Sequence, residues 1–390
     1  MHLPTPAPRR AGSTGPRIVR AALAAGLLTG GLAVSAQAAH AKPAHAAGSA
    51  KVQHGTLTIK GRPSGDKLAL RLRAGAPQTL QVDVNDDGTA DFEVARDRFE
   101  RIVVKARGGD DSVRIDETNG VFTTTTPTTI DGQRGDDTLL GGSGDETLVG
   151  GDGADVVDGN RGADTADLGS GDDRFTWDPG DGSDVVEGQA GRDVMTFNGA
   201  NIAEEFTVSA NGSRVRFLRN VGTINMDLNG IEDIDTNALG GADRLTVDDL
   251  SGTDAAQLNV DLAGTTAADD GAADQVLVNG TNGKEAITAA GRAGDVTVTG
   301  LAADVHIVHA QATQDQLAIS GRAGDDVIDG SGLAADAIQF LADGDDGDDV
   351  LTGGAGSDTL RGGAGDDVLH GGPSVDVLDG GPGNNVVIQD

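Results

Sequence analysis

GQRGDDTLL (132–140), GGSGDETLV (141–149), GGDGADVVD (150–158), GNRGADTAD (159–167) and LGSGDDRFT (168–176) follow one another without a gap. After the pair Trp177-Asp178 the register resumes with PGDGSDVVE (179–187) and GQAGRDVMT (188–196). A second run holds GDDGDDVLT (344–352), GGAGSDTLR (353–361), GGAGDDVLH (362–370), GGPSVDVLD (371–379) and GGPGNNVVI (380–388). Isolated copies stand at 106–114 (ARGGDDSVR) and 321–329 (GRAGDDVID). Glycines crowd the first six positions, an acid usually stands sixth and an apolar residue eighth. Solvated Gly- and Asp-rich loops have no reason to keep a ninefold register or a fixed apolar position. The register therefore marks a repeated structural unit.

Each unit divides into a turn and a strand. Glycines in positions one to six permit positive φ and let neighbouring turns approach closely. Positions seven to nine form a short strand whose apolar residue, such as Val157, Leu360 or Leu369, points inward. Two nonapeptides complete one coil, so residues 18 apart stack directly. Stacking sets the sixth-position acids a few Å apart, and their repulsion opposes folding. Calcium answers that repulsion: it takes about six to eight oxygens at roughly 2.3–2.6 Å from carboxylates and backbone carbonyls. Its binding energy then becomes folding energy. The fold class expected is all-β, a parallel β-roll or β-helix solenoid with calcium-binding nonapeptide turns.

The bulk composition agrees. The 390 residues include 62 Asp+Glu against 29 Lys+Arg, a net charge of -33. Such a surface repels nucleic acid and anionic lipid and attracts cations. Only eight Phe, one Trp and no Tyr are present, so a thin interior of stacked Val, Ile and Leu is expected rather than a thick core. Cysteine is absent, which leaves metal rather than disulfides as the staple.

Residues 1–38 read as a signal peptide: four arginines (Arg9, Arg10, Arg17, Arg20), an apolar run Ala21 to Ala36, and an A-x-A site at Ala36-Gln37-Ala38. Arg9-Arg10 is a weak twin-arginine signal, since Ala11, Gly12 and Ser13 follow it. Residues 39–54 read as a disordered leader, and 55–131 as an N-terminal β region of alternating strands. The first repeat block spans 132–196, an irregular β region 197–320, and the C-terminal block 321–390. In the irregular region Asn211-Gly212 marks a hairpin between Phe206–Val208 and Val215–Phe217. Its strand spacing suits further solenoid coils or a sandwich-like insert, and the solenoid is favoured. No later stretch is apolar enough to cross a bilayer, so an exported, extracellular chain is expected, with no membrane span once the signal is removed.

The repeats resemble those of the secreted RTX-type (hemolysin-type nonapeptide) calcium-binding proteins of GC-rich bacteria. That resemblance implies calcium between successive turns on one edge, held by the sixth-position aspartate and turn carbonyls. Carried onto this chain, one edge of the first block aligns Asp137, Asp155 and Asp173, and the opposite edge Glu146 and Asp164. Asp184 and Asp193 serve the shifted pair. In the second block Asp349, Asp367 and Asn385 share one edge, and Asp358 and Asp376 the other. The accompanying glycines are Gly135, Gly153, Gly162, Gly171, Gly347, Gly356 and Gly365. Departures are Glu146, which is one methylene longer, the uncharged Asn385, Asn160 and Ser374 in place of turn glycines, and Leu168 and Pro179 in the first position. About four to eight calcium ions are expected, with Kd near 10⁻⁴–10⁻³ M.

Two other metal readings are weaker. Asp83 to Asp91 follows the first nine positions of an EF-hand loop, but Val94 stands where the bidentate Glu belongs, and an Asx-rich turn explains the same residues. His306 and His309, three apart on a strand-like run, point to opposite faces. No H-E-x-x-H or G-x-S-x-G occurs, so no catalytic residue is assigned. Alternatives to a calcium-binding protein are a polysaccharide lyase or epimerase on a β-helix, and a structural or adhesive surface protein. Against the former stand the missing Tyr and the scattered basic residues. The identity of any protein or polysaccharide partner is not legible.

Overall fold

A computed structural model describes residues 48–265 and 270–390. The signal-peptide reading and residues 39–47 of the leader lie outside the described residues. The rest of the leader is corrected: Ser49–Gln53 is a strand paired antiparallel with Thr56–Lys60. Its alternating Ala50 and Val52 pack on the core, and His54 and Gly55, both at positive φ, close a tight hairpin.

Ala44–Asp390 forms one compact unit, within which the described strands build two sheets. One holds 16 strands and runs from Ser49–Gln53 to Val377–Asp379. The strand pairings order the other as an open row from Phe92–Ala95 to Val386–Ile388. The chain alternates between sheets, and in the repeat blocks each strand pairs in parallel with the strand one coil further on, whereas Ala76–Asp83 and Phe92–Ala95 pair antiparallel. Thr147 faces Thr165 in one sheet and Val156 faces Arg174 in the other, both 18 apart as the two-nonapeptide coil requires. Trp177 and Asp178 lengthen the next coil, so Thr165 faces Val185. Eighth-position side chains fill the interior: Leu139, Leu148, Val157, Ala166, Phe175, Val186 and Met195 are all fully buried.

The region 197–320 continues the solenoid rather than forming a separate sandwich. Val194–Asn198 pairs in parallel with Asp233–Asn237, which pairs with Gln257–Asp261; Gln275–Asn279 pairs with Gln316–Ser320. Two antiparallel excursions interrupt it. Arg214–Arg219 runs reversed between Glu205–Asn211 and Ile224–Asn229, and Asp295–Thr299 between Ala286–Arg292 and Asp304–Val308. The first turns where Asn211-Gly212 was read as a hairpin: Asn211 faces Arg214, and Gly212 has φ +70°. Each excursion adds one reversed strand flanked by two parallel ones, so the coil direction is restored.

The interior is mostly aliphatic but turns aromatic where the first block meets the first excursion, which corrects the expectation of a uniform Val, Ile and Leu stack. There the inserted Trp177 turns inward and stacks on Phe197, centroids 4.0 Å apart and planes 5° from parallel. Phe217 and Phe206 close around Phe197 at 4.5 Å and 5.9 Å. The longer coil and the reversed strand leave a space that rings fill. Arg219 lies 5.1 Å above Trp177 and pairs with buried Glu204, so this cation is neutralised where it is desolvated.

Candidate metal centre

Each sixth-position acid ends a turn two residues before the inward strand residue, and its side chain folds back under the turn. On one edge the acids form a single hydrogen-bonded row. Asp66 N–H donates to Asp111 Oδ1 (2.6 Å), Asp111 to Asp137 (2.7 Å), Asp137 to Asp155 (2.7 Å), Asp155 to Asp173 (2.7 Å) and Asp173 to Asp193 (2.9 Å). On the opposite edge Glu146 donates to Asp164 (2.6 Å) and Asp164 to Asp184 (2.8 Å). In the C-terminal block Asp326, Asp349, Asp367 and Asn385 make one row and Asp358 and Asp376 another. Within each row, one oxygen of every acid after the first thus stitches coil to coil.

The other oxygen behaves in one of two ways, and the residue in the second position of the turn decides which. Where that residue has positive φ, its N–H does not reach the acid, and in most such turns the second carboxylate oxygen is left buried without a partner; Gly180 before Asp184 and Gly372 before Asp376 are the exceptions. The rule holds for Arg107 with Asp111, Gln133 with Asp137, Gly151 with Asp155, Asn160 with Asp164, Gly169 with Asp173 and Gln189 with Asp193. It holds equally for Arg322 with Asp326, Asp345 with Asp349 and Gly363 with Asp367. Where φ is not positive, the second-position N–H donates to the acid of its own turn. Gly142 does so to Glu146 (2.6 Å), Gly354 to Asp358 (2.7 Å) and Arg62 to Asp66. We call these open and self-capped turns. A buried polar atom left unpaired carries the full desolvation cost, so an open turn is an oxygen site that a cation would satisfy.

Electrostatics points the same way. Coils stack about 4.8 Å apart, a separation at which two carboxylates repel by about 3 kcal/mol at an effective dielectric of 20. Burial, the largest cause, outweighs the backbone N–H donors that oppose it, and the charge of nearby acids adds to it. Burial and these charges push Asp137, Asp184 and Glu146 up to about 7, Asp155, Asp173, Asp193, Asp349 and Asp358 up to about 6, and Asp164 up to about 9. Without an added positive charge the rows favour protonation.

Close stacking is what the turn glycines permit. Gly153 and Gly171 have φ of +138° and +143°, and a Cβ on either would strike the carbonyl of the glycine one coil before, Gly135 or Gly153. Gly162, Gly347 and Gly365 stack in the same manner, whereas Gly356 does not adopt positive φ. A Cβ on Gly132, Gly150 or Gly344 would meet both the free Oδ2 of Asp137, Asp155 or Asp349 and the carbonyl of Gly150, Leu168 or Gly362, so those first-position carbonyls lie beside the row. Among the described residues no three His, Asp or Glu side chains cluster as a metal ligand set. A cation held here draws on one or two carboxylates and on turn carbonyls, the hard oxygen donors that suit calcium.

All ten sequence-assigned aspartates lie in these rows. Asp137, Asp155, Asp164, Asp173, Asp193, Asp349 and Asp367 end open turns. Asp358 ends a self-capped one, and Asp376 is bonded through Oδ2 by Gln389 (2.8 Å). Asp184 continues the opposite edge beneath Asp164. Glu146 has one oxygen capping its turn and one buried without a partner. Sequence reasoning left out Asp66, Asp111, Glu204, Asp243, Asp274, Asp315, Glu285 and Asp326, which extend the rows. A signal existed for several: ALGGADRLT (238–246) and GTNGKEAIT (280–288) keep the fourth-position glycine, the sixth-position acid and the eighth-position apolar residue.

The two weaker metal readings resolve into hydrogen bonds. Asp83 accepts from Asn85, Asp87 and Gly88 N–H and pairs with Arg71, Asp91 accepts from Val84 N–H, and Asp86 pairs with Arg114. That is an Asx-rich turn with its carboxylates committed. His306 lies against Asp295 and His309 against Asp261, apart from each other on the surface.

A family model described as the RTX calcium-binding nonapeptide repeat (4 copies) matches residues 129–145, 140–175, 180–201, 318–332, 343–378 and 352–387. The two blocks are therefore RTX calcium-binding repeats, and they cover less than half of the chain. No curated protein matches it.

Proposed function

We propose that the protein is an exported calcium-binding solenoid that folds as calcium enters the open turns. The observation that supports this is the set of buried, unpartnered carboxylate oxygens spaced one coil apart in both repeat blocks. The open-turn aspartates and the carbonyls beside them would hold the ion, and the ion would supply the positive charge that lets the rows stack ionised. Export is supported by the arginine-rich, apolar, A-x-A pattern of residues 1–38. Among the described residues no helix is long and apolar enough to cross a membrane. A chain of this charge stays unfolded where calcium is scarce and orders where it reaches about 10⁻³ M, the working range of extracellular calcium modules.

The test is far-UV circular dichroism of the chain without residues 1–38, titrated with calcium and then with chelator. The expected result is a reversible coil-to-β transition that magnesium, with its demand for near-octahedral geometry, does not reproduce. Equal β content before and after chelation would refute the reading.

A further inference from the structure

We propose that the turn 238–243, outside every stretch that matches the repeat family, holds a calcium ion of its own at Asp243. This rests on the reading that the repeat turns bind calcium and carries it into the region without regular repeats. Glu204 N–H donates to Asp243 Oδ1 (2.7 Å) and Asp243 N–H to Asp274 Oδ1 (2.8 Å), the same stitch as in the repeats. Asp243 is 4% exposed, and its Oδ2 is buried without a partner. Among the described residues of 197–320 no other acid has an oxygen in that state.

Its neighbours in the row do not share it. Glu204 accepts from Ala200 N–H (2.6 Å) and pairs with Arg219, and Asp315 accepts from Gln311 N–H (2.6 Å). The turn before Asp243 is open because Leu239, in the second position, has φ +70°. A leucine rarely adopts that conformation, yet here it reproduces the backbone that Gly151 supplies at +119°. Gly241, in the fourth position at φ +128°, lies against the Ile202 carbonyl group as Gly153 lies against that of Gly135. Asn201 Oδ1 lies close to Gly240, whose turn bridges in parallel to Asn201. The oxygens on this turn are thus the free Asp243 carboxylate oxygen, the Asn201 amide and the Asp270 carboxylate near Gly240, and the Ile202 carbonyl near Gly241. Asp270 Oδ2 also accepts from Gly241 N–H (2.7 Å). These are hard donors of the kind calcium takes. Glu204 leads into Glu205–Asn211 and Asp243 into Arg244–Val247, which pair in parallel. An ion at Asp243 would clamp the first antiparallel excursion to the coil that follows it.

Calcium per chain is counted by equilibrium dialysis for the wild type, Asp243→Asn and, as a repeat control, Asp155→Asn. Each variant is expected to lose one ion. A wild type that binds no calcium sinks the repeat reading; loss in Asp155→Asn with an unchanged count in Asp243→Asn sinks this inference alone. Trp177 emission in calcium reports whether a variant folds. Asp243→Ser, which keeps an acceptor for Glu204 N–H, is the second variant if the first does not. Independently of any variant, anomalous scattering from wild-type crystals grown with terbium should place an ion beside Asp243 Oδ2. Ions at Asp155 with none at Asp243 would overturn the site.

Discussion

The repeat block 132–196 and the region 197–320 carry the same rows of acids through the same two sheets, yet their turns are completed differently. In the block, Gln133, Gly151, Asn160, Gly169 and Gln189 all take positive φ in the second position and leave a carboxylate oxygen free. In the region between blocks, Ala200, Thr281 and Gln311 keep negative-side backbones and cap their own acids, Glu204, Glu285 and Asp315. The same region holds the aromatic cluster around Phe197 and the ion pairs of Arg214 and Arg219. One solenoid thus uses two means of stacking like charges. The blocks leave oxygens for a cation, whereas the middle, Asp243 apart, commits its oxygens to backbone donors and adds a heavier core.

Chelation should separate the two most sharply. An ion at a hundredfold excess over its Kd stabilises by about 2.7 kcal/mol. Removing the ions of one block should therefore speed amide exchange in Val156–Asp158 and Val368–His370 by at least about a hundredfold. Gln275–Asn279 and Gln316–Ser320 should change much less. Equal acceleration in both regions, read by hydrogen exchange with mass spectrometry, would abolish the distinction.

Phe197→Ala probes the other side. Truncating a fully buried aromatic costs about 3–5 kcal/mol, and Phe197 touches no carboxylate of the rows among its ring contacts with Trp177, Phe206 and Phe217. Denaturant unfolding in saturating calcium should show that loss while the calcium count stays unchanged. A reduced count would mean that core and metal sites are not separable.

Acid gives the smallest and most diagnostic effect. Asp137 is pushed up to about 7 and Asp155 and Asp349 to about 6, against about 3.9 in an unfolded chain. A carboxyl whose native pKa is raised binds its proton more tightly when folded. Its contribution is therefore complete below about pH 4 and lost as pH rises through 6 to 7. Without metal, the chain should show more β signal at pH 5 than at pH 7.5, and the gain should come from the blocks. With calcium bound, that dependence should vanish. A metal-free chain that loses structure between pH 7.5 and pH 5 would contradict the charge argument.

Much of the site was legible. The ninefold register puts Asp137, Asp155 and Asp173 in one row, because a coil of two nonapeptides places them one above another. The two-residue insertion at Trp177 was read, but its inward turn was not, since burial of the ring depends on Phe197 and Phe217 from later coils. The strand Ser49–Gln53 was missed because its partner Thr56–Lys60, not its own composition, orders it. Asp243 and Glu285 were missed for a different reason. Rows follow spatial stacking, and the spacing between partners widens from 18 residues at Asp137–Asp155 to 39 at Glu204–Asp243 and 41 at Glu285–Asp326.

The amino-acid sequence alone determined the coil length, the alternation of buried and exposed positions and the presence of stacked acids, because all three follow from a period of nine with an apolar eighth residue. Only the tertiary structure decided which oxygens stay free. That choice depends on the backbone angle of one residue per turn, and neighbouring coils hold that angle even at Leu239, where no glycine announces it.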